Sequence, residues 1–394
     1  STGKGLAMAQ QGIAVIGAGM IGGAHAAAYR QFAHRFGGAV LHSVCDMNPA
    51  QARDLAEKYG FQRVTDDWRQ VIADPEIHIL SVCLPNFLHT EVTLAALAAG
   101  KHVLCEKPLA LSADQARPVR DAADKAACVS GTVFNYRRIP ALAEIRSRMD
   151  AGDLGRPVQI SVLFQCDYAA DPMLPHSWRY EFDRAGPGAL LDLGTHAVDM
   201  LRFMFGDVAE VVGAVSTISI PARHLPMGAV TGHGHVALSD QTAVVDNDDV
   251  MSGLVRFANG AQGFVSASRV AVGAGNRLAV ELHGTKGTAR FSTETPSFYE
   301  LALFAPGQPS NFTRYPNRPS SPAVGALAPV PHDLVSVGYA EVFGYMIHDF
   351  LAAIAAGRAL ENGSIEDGYR AAQVLDAIQR ASVVNAPVPV AWQD

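Results

Sequence analysis

Short apolar runs alternate with longer amphipathic stretches over the first third of the chain. Five of these runs, at 13–17, 39–45, 77–84, 102–106 and 128–134, are apolar along their whole length. Such runs are typical of strands that are buried on both faces of a parallel sheet, with helices between them. Helix boundaries are marked by Asn48 before Pro49, by Gly100, and by the capping spacing from Ser112 to Gln115. The pattern predicts an α/β domain over 10–134, a doubly wound parallel sheet.

The periodicity changes after residue 134. Helical patterns at 139–150 and 189–205 precede strand-like runs at 209–218, 250–257, 261–268, 278–283 and 288–291, and helices at 339–356 and 365–382 follow. Asn259–Gly260 lies between two of the runs and is a hairpin signal. We therefore predict a second domain over 135–394, an α+β domain with a large, mostly antiparallel open sheet. Seven prolines between 305 and 332 indicate an irregular arm.

Composition narrows the class of protein. The 394 residues carry a formal net charge of −7 and contain no basic run that could follow a phosphate backbone, so we expect no nucleic acid partner. Five cysteines form no CxxC pair, which favours buried thiols and a reducing compartment. The first residues lack the apolar stretch of a secretory signal, and no segment has the length of a membrane span. These features predict a cytoplasmic protein with no membrane contact.

A glycine-rich turn follows the first predicted strand in the stretch GIAVIGAGMIGGAHA. Gly17, Gly19 and Gly22 form GxGxxG at the start of a helix, where glycines permit a tight turn and the approach of a pyrophosphate. Asp46 ends the second strand about twenty residues later, where a carboxylate accepts hydrogen bonds from a ribose. A glycine turn that serves packing alone is the alternative. No arginine adjoins Asp46 to receive a 2′-phosphate, so we predict NAD rather than NADP.

Lys107 follows the apolar run 102–105 and is expected at the carboxyl end of a parallel strand, the edge where open α/β sheets bind ligands. Glu106 and Pro108 flank it and suggest a fixed turn, with a cis bond as one option. Leu84, Pro85 and Asn86 end the preceding strand at the same edge. A solvated surface charge is the alternative interpretation of this lysine.

Asp192 and His196 are four residues apart on the helix predicted over 189–205, and should share one face. A carboxylate beside an imidazole is an arrangement suited to general acid–base catalysis. A surface ion pair, a buried structural histidine and a metal pair are the alternatives. No third ligand has suitable spacing, and the HGH of 233–235 has no obvious carboxylate partner, so we predict no metal.

The motifs GAGMIG, PNFLH, AGKHVLCEKPLA, FNYRR, SWR, DLGTHAVD and HGTKGT together resemble the Gfo/Idh/MocA family of NAD(P)-dependent sugar and polyol oxidoreductases over nearly the whole chain. The resemblance implies a Rossmann domain followed by a substrate-binding domain whose open sheet forms an oligomer interface. It implies that Lys107, Asp192 and His196 are catalytic and that substrate contacts also include Tyr136 and Arg137. The expected cofactor contacts are Gly17, Gly19, Met20, Ile21, Gly22, Asp46, Leu84, Pro85, Asn86, His89, Glu106, Lys107, Pro108, Asn135, Arg137, Trp178 and Arg179.

The predicted activity is reversible, NAD-dependent oxidation of a secondary hydroxyl of a cyclic sugar, anhydrosugar or cyclitol. His196 is the preferred general base, Lys107 the donor to the reacting oxygen and Asp192 the orienting group, with Lys107 as base the alternative. Two other functions stay open at this stage: a glycosidase that retains NAD and uses transient oxidation, and a non-catalytic NAD-binding sensor or co-repressor. We expect a homo-oligomer, a tetramer or a dimer, built on the second sheet.

Overall fold

A computed structural model describes residues 11–230, 232–318, 332–334 and 337–392. The chain forms two compact units. The first contains the residues up to Ala110, Asp114–Asn135 and Tyr339–Tyr369, and the second contains Leu111–Ala113, Tyr136–Gly338 and the chain from Arg370. The units are thus discontinuous in sequence, whereas the predicted division is a single boundary between 134 and 135.

The first unit is built on a six-stranded, fully parallel sheet in the order β3-β2-β1-β4-β5-β6. Its strands are β1 (Gln11–Ile16), β2 (Ala39–Cys45), β3 (Arg63–Thr65), β4 (Ile77–Val82), β5 (His102–Cys105) and β6 (Ser130–Thr132). The helices between them are α1 (Met20–Phe32), α2 (Pro49–Tyr59), α3 (Trp68–Ala73), α4 (His89–Ala98) and α5 (Ala113–Lys125). The predicted doubly wound sheet is confirmed, and β3 is a short edge strand that the apolar pattern missed because its residues are largely exposed.

Two helix signals of the first unit, Asn48 and Gly100, act as predicted. The Asn48 side chain accepts hydrogen bonds from the amides of Ala50 and Gln51 and so caps α2, with Pro49 in the first turn. Gly100, in the left-handed region at φ 69°, follows the end of α4. The Asn48 cap starts α2 shortly after β2, and Gly100 ends α4 shortly before β5.

The second unit is built on a nine-stranded sheet in the order β16-β15-β14-β13-β7-β12-β11-β8-β17, antiparallel except where β7 pairs with β12. A separate β9–β10 pair completes its strands. The strands are β7 (Pro157–Gln165), β8 (Val208–Thr217), β9 (Ala222–Pro226), β10 (Leu238–Val244), β11 (Val250–Phe257), β12 (Gln262–Ser268), β13 (Arg277–Gly284), β14 (Gly287–Ser292), β15 (Phe298–Leu303), β16 (Thr313–Pro316) and β17 (Val388–Pro389). The mostly antiparallel open sheet is confirmed.

Three helices pack on one face of this sheet: α6 (Pro140–Asp150), α8 (Gly188–Asp192) and α9 (Gly194–Phe205). The short helix α7 (Phe182–Ala185) precedes α8. Alternate residues of the central strands, such as Val162 of β7 and Val280 of β13, are buried beneath the three helices, and Leu163 and Ala279 point to the other face and are less buried. The sheet therefore has one packed face and one partly open face.

The single helix predicted over 189–205 is wrong, because the chain breaks at Leu193 into α8 and α9. Gly194 lies at the break, and the Thr195 hydroxyl donates to the Leu191 carbonyl at 2.5 Å. A threonine that bonds back by one turn bends a helix, and glycine lowers the cost of the bend. Asp192 thus ends one helix and His196 lies in the first turn of the next.

Two long helices follow in the sequence, α10 (Tyr339–Ala356) and α11 (Ile365–Val384). The sequence boundary assigns α10 to the second half, but it packs on α1 of the first unit, with Phe343 5.6 Å from the His25 ring. Gly344 permits this approach, since a Cβ there would lie 2.7 Å from the Phe32 ring. Residues 319–331 of the predicted proline-rich arm lie outside the described residues.

Helices long and apolar enough to span a bilayer do not occur in the described part of the chain. None of the five cysteines, all of which lie in the described part of the chain, is in a disulfide. Burial raises the pKa of Cys45 and Cys105 to about 12, so these two thiols stay protonated at neutral pH. This agrees with the structural role predicted for them.

Candidate active site

The glycine turn between β1 and α1 has the geometry of an anion site. Gly17 has φ 102°, and a Cβ there would lie 2.2 Å from the Cys83 carbonyl oxygen. A Cβ on Gly22 would lie 1.8 Å from the Gly17 oxygen, so this glycine lets helix and turn pack closely. A Cβ on Gly19 would meet no described atom within 4 Å, and no side chain caps α1. Open space therefore adjoins the first-turn amides of α1, where Met20 and Ile21 lie, and a pyrophosphate fits there.

Asp46 is fixed against this turn by its own hydrogen bonds. Its Oδ2 accepts from the Ala18 amide at 2.7 Å and its Oδ1 from the Asn48 amide at 2.8 Å. Carboxylate oxygens each have two acceptor positions, so both can still accept from ribose hydroxyls. The adjacent Met47 is 87% exposed and brings no positive charge. This arrangement suits the ribose of NAD better than a 2′-phosphate.

His89 connects the loops that follow β4 and β5. Its Nδ1 lies 2.6 Å from the Pro108 carbonyl oxygen and its Nε2 lies 2.7 Å from that of Leu84. Burial lowers the pKa of the His89 ring, and the two carbonyls oppose that shift. The predicted contacts Leu84, His89 and Pro108 are therefore held together, at the sheet edge predicted for them. The Lys107–Pro108 peptide is cis, and Lys107 is half-buried.

Glu106 connects the lysine loop to α1 through a buried histidine. Its Oε1 lies 2.9 Å from His25 Nε2, and its Oε2 accepts from the Lys107 amide at 3.1 Å. His25 Nδ1 in turn lies 2.9 Å from Ser81 Oγ, which also contacts the Tyr29 hydroxyl at 2.9 Å. His25 is fully buried. The network fixes the backbone of Lys107 against the helix that follows the glycine turn.

The sequence interpretation did not single out His25. A signal was present, because His25 lies one turn after Gly22, among the alanines of an otherwise apolar helix face. A buried imidazole requires polar partners. Those partners, Ser81 and Glu106, lie 56 and 81 residues away, and no local pattern identifies them.

Asn135 supplies a further test of the cofactor site within the first unit. The residue is 1% exposed, and its Oδ1 has no hydrogen-bond partner in the described part of the chain. A buried amide oxygen without a partner costs free energy and is typical of a ligand contact. This observation and the open space at Gly19 both fit a bound dinucleotide. Asn86 lies in the short helical turn 86–88 after β4.

In the second unit, Asp192 and His196 each contact a tyrosine. The Tyr168 hydroxyl donates to Asp192 Oδ2 at 2.6 Å. The His196 ring lies edge-on to Tyr136, with centroids 4.7 Å apart, and is 7% exposed. Burial raises the pKa of both tyrosines, so both hydroxyls are neutral donors at working pH. A carboxylate and an imidazole held in this way can take up and orient protons.

Arg137 is buried in an ion pair with Asp199, the last residue of the DLGTHAVD motif. Its Nη2 lies 2.5 Å from Asp199 Oδ1 and its Nε lies 2.9 Å from Oδ2. The two side chains are 6% and 2% exposed. The pair anchors α9 one turn after His196. Contact of Arg137 with cofactor or substrate stays a prediction.

Trp178 and Arg179 lie on a short helical turn whose backbone is firmly held. The Arg179 carbonyl accepts from Asn247 Nδ2 at 3.0 Å. The next residue, Tyr180, has the guanidinium groups of Arg223 and Arg269 at 4.4 and 4.7 Å from its ring centroid. The side chains of Trp178 and Arg179 are half-buried, and their predicted contacts with the cofactor stay a prediction.

One trio of possible metal ligands occurs away from all these residues. Ligand atoms of His42, Asp74 and Glu76 lie within 4.8 Å of one another. The Arg63 guanidinium already lies 3.2 Å from Glu76 and 3.4 Å from Asp74, where it supplies the positive charge that the carboxylates need. We therefore do not propose a metal site at these three residues.

Comparisons with known proteins agree with this geometry. A family model described as an oxidoreductase family with an NAD-binding Rossmann fold matches residues 11–134, and a GFO/IDH/MocA C-terminal domain matches residues 142–290. The levoglucosan dehydrogenase of Pseudarthrobacter phenanthrenivorans is 37% identical over 385 residues, which cover 96% of this chain and 97% of that protein. The myo-inositol 2-dehydrogenase of Thermotoga maritima is 29% identical over 275 residues, 70% of this chain and 73% of that protein.

Solved structures lead to the same group. A levoglucosan dehydrogenase in complex with NADH and levoglucosan has a TM-score of 0.88 and 35% identity, covering 97% of this chain and 99% of that chain. An oxidoreductase domain protein from Kribbella flavida has a TM-score of 0.88 and 32% identity, covering 98% of this chain and 100% of that chain. The cofactor is NAD, as the glycine turn and Asp46 predict. The chain therefore belongs to the Gfo/Idh/MocA family of oxidoreductases, among the NAD-dependent sugar and polyol dehydrogenases.

Proposed function

We propose that the protein oxidises a secondary hydroxyl of a cyclic sugar, an anhydrosugar or a cyclitol, reversibly, and that Lys107, Asp192 and His196 serve this one reaction. The observation that carries the proposal is that Asp192 accepts a hydrogen bond from the neutral Tyr168 hydroxyl and that the His196 ring lies edge-on to the buried Tyr136 ring. Levoglucosan is the first substrate to test, because the similarity to levoglucosan dehydrogenases covers nearly the whole chain.

The first unit has the task of binding and orienting the cofactor. The amides at Gly19 to Gly22 would hold the pyrophosphate, Asp46 the adenosine ribose, and Asn135 a polar group nearer the nicotinamide. When bound, NAD supplies the acceptor for the hydride. Lys107 would donate a hydrogen bond to the reacting oxygen and stabilise the negative charge that develops there, a contribution that is larger in the transition state than in the ground state.

The second unit has the task of moving the proton. His196 would accept the hydroxyl proton, since an imidazole with an ordinary pKa near 6.5 can exchange protons in both directions at neutral pH. Asp192 would orient the imidazole or accept a hydrogen bond from a neighbouring hydroxyl of the substrate. Lys107 as the base is the competing assignment within the same reaction.

The test supplies levoglucosan, aldoses and inositols in turn, with NAD and separately with NADP, and follows the formation of NADH or NADPH. We expect oxidation to rise with pH through a group that titrates in roughly the 6–8 range. His196→Asn should flatten that limb and slow hydride formation about 10²–10⁴-fold. If His196→Asn retains the limb and Lys107→Met abolishes it, lysine is the base. Absence of NADH formation with every compound would contradict the proposed function.

We also infer a homo-oligomer that uses the partly open face of the nine-stranded sheet. Leu254 and Val215 of this face are 54% and 67% exposed, and their neighbour Phe264 is half-buried. A groove lined by residues such as Leu163, Ala279 and Phe298 lies on the same sheet. A row of exposed apolar side chains across several strands favours burial against a second copy of the same chain. A cytoplasmic location remains our expectation from the cysteine content.

A further inference from the structure

Tyr168 contacts Asp192, one of the proposed catalytic residues, and the proposed reaction gives Tyr168 no role of its own. It follows β7 and its hydroxyl donates to Asp192 Oδ2 at 2.6 Å, across 24 residues of sequence. Hydrogen bonds from a hydroxyl to a carboxylate are typically 2.5–2.7 Å long and are roughly twice as strong as neutral ones. Burial keeps the hydroxyl protonated, so Tyr168 is the donor and the Asp192 carboxylate the acceptor.

The Tyr168 ring contacts a histidine ring and a buried cluster of side chains. His233 stacks on it, with ring centroids 3.9 Å apart and an interplanar angle of 26°. His233 belongs to the HGH loop between β9 and β10, a motif to which the proposed reaction gives no role. Tyr168 also packs against a buried cluster that contains Leu174 and Tyr180.

The cluster behind Tyr168 is rigid. Tyr180 lies between the Arg223 and Arg269 guanidinium groups, and Arg269 Nε lies 2.8 Å from Asp249 Oδ1 in a fully buried ion pair. Arg223 also donates to the Ala169 carbonyl, one residue after Tyr168, at 2.5 Å. The backbone next to Tyr168 is therefore fixed by charged hydrogen bonds within the second unit.

Asp192 needs such support because it ends the five-residue helix α8 at the break in the chain. Two side-chain torsions set the orientation of its carboxylate, and productive geometry requires a catalytic group to stay within about 0.5 Å. We propose that Tyr168 is a positioning residue that sets the orientation of the Asp192 carboxylate, and that His233 of the HGH loop keeps Tyr168 in place by ring stacking. This inference rests on the proposed function, in which Asp192 serves the oxidation of a polyol.

The first experiment compares Tyr168→Phe with Tyr299→Phe. Tyr299 is a matched control in the same unit, because its hydroxyl also contacts a charged group, Arg148 Nε at 2.9 Å, and its ring stacks on Tyr315. We expect Tyr168→Phe to lower kcat roughly ten- to a hundredfold, the effect of losing a hydrogen bond to a charged group, with an unchanged Kd for NADH. Tyr299→Phe should keep the wild-type kcat.

The second experiment asks whether Tyr168 acts through Asp192. In an Asp192→Asn background, Tyr168→Phe should cause little further loss of kcat, because the carboxylate that it orients has been removed. His233→Phe keeps an aromatic ring on Tyr168 and should retain the wild-type kcat, whereas His233→Ala should lower it several-fold. Thermal unfolding of each variant confirms that it is folded.

Three results would overturn the inference. Tyr168→Phe could keep the wild-type kcat, Tyr299→Phe could lower kcat as much as Tyr168→Phe does, or Tyr168→Phe could lower kcat by the same factor in the Asp192→Asn background as in the wild type. Each of them leaves the proposed function intact, since the wild-type enzyme still forms NADH with a polyol. A wild-type enzyme that forms no NADH with any sugar or cyclitol overturns the proposed function and this inference with it.

Discussion

Replacing Asp199 by alanine should destabilise the second unit strongly, although the residue is absent from the set predicted to be catalytic. The change removes one partner of a buried pair and leaves the Arg137 guanidinium without its carboxylate. Three contacts of 2.5 to 3.1 Å join the two side chains. Both lie in the interior, at 6% and 2% exposure, so water can replace little of what is lost.

The expected loss follows from this burial. Removing one member of a buried ion pair typically costs about 3–5 kcal/mol, because a charge is left uncompensated, whereas an exposed pair contributes only about 0–1 kcal/mol. Replacing both members by apolar residues of similar volume is often close to neutral. Asp199→Ala and Arg137→Met should therefore each lower the free energy of unfolding by about 3–5 kcal/mol, and Arg137→Met/Asp199→Leu should lose less than either single variant.

Urea unfolding of the wild type, the two single variants and the double variant measures these differences. Arg256→Met is a control, since the Arg256–Glu210 pair joins β11 and β8 at 58% and 30% exposure. A loss below about 1 kcal/mol for Asp199→Ala would refute the argument, because the pair would then behave as a solvated one. NADH affinity of the Arg137→Met variant tests the separate prediction that Arg137 binds the cofactor.

Asp46→Ala should weaken NAD binding by about 1.5–3 kcal/mol and reduce the difference in affinity between NAD and NADP. Titration with NADH and NADPH measures both affinities, and a wild type that prefers NADP would contradict the role of Asp46. Burial lowers the pKa of His89 from its ordinary 6.5, so as the pH falls below that value the unfolded chain binds the proton first and the free energy of unfolding should fall. His89→Gln should flatten this slope in urea unfolding between about pH 5 and 7.5, and an unchanged slope would count against it. Leu254→Asp on the open sheet face should dissociate the oligomer in sedimentation at micromolar concentration, with Val64→Asp of β3 as an exposed control; a monomeric wild type would overturn the proposed interface.

Local sequence determined much of the first unit. The runs that became β1, β2, β4 and β5 are mostly apolar, which is typical of strands covered on both faces. The cap at Asn48 and the close approach of Gly22 to Gly17 involve residues only a few positions apart. The positions of Asp46 and Lys107 at strand ends follow from the same local pattern.

Local pattern failed where distant residues decide the outcome. The stretch 189–205 has a continuous helical periodicity, yet Thr195 and Gly194 break it, and Asp248 supports α8 by accepting from the Leu190 amide at 2.9 Å. Strand β7 was missed, although it lies at the centre of the second sheet and its residues alternate in burial. It gains its place from pairing with β12 and β13, about a hundred residues later in the chain.

The sequence by itself determined the class of fold, the cofactor and the residue types available for proton transfer, because periodicity and short motifs record which side chains are buried and which backbone turns are possible. The tertiary structure alone decided the partners of those residues: His25 with Glu106, Arg137 with Asp199, and Tyr168 with Asp192. These pairs are separated by 24 to 81 residues. A pattern along the chain shows that a polar side chain is buried, and only the folded chain shows which distant group satisfies it.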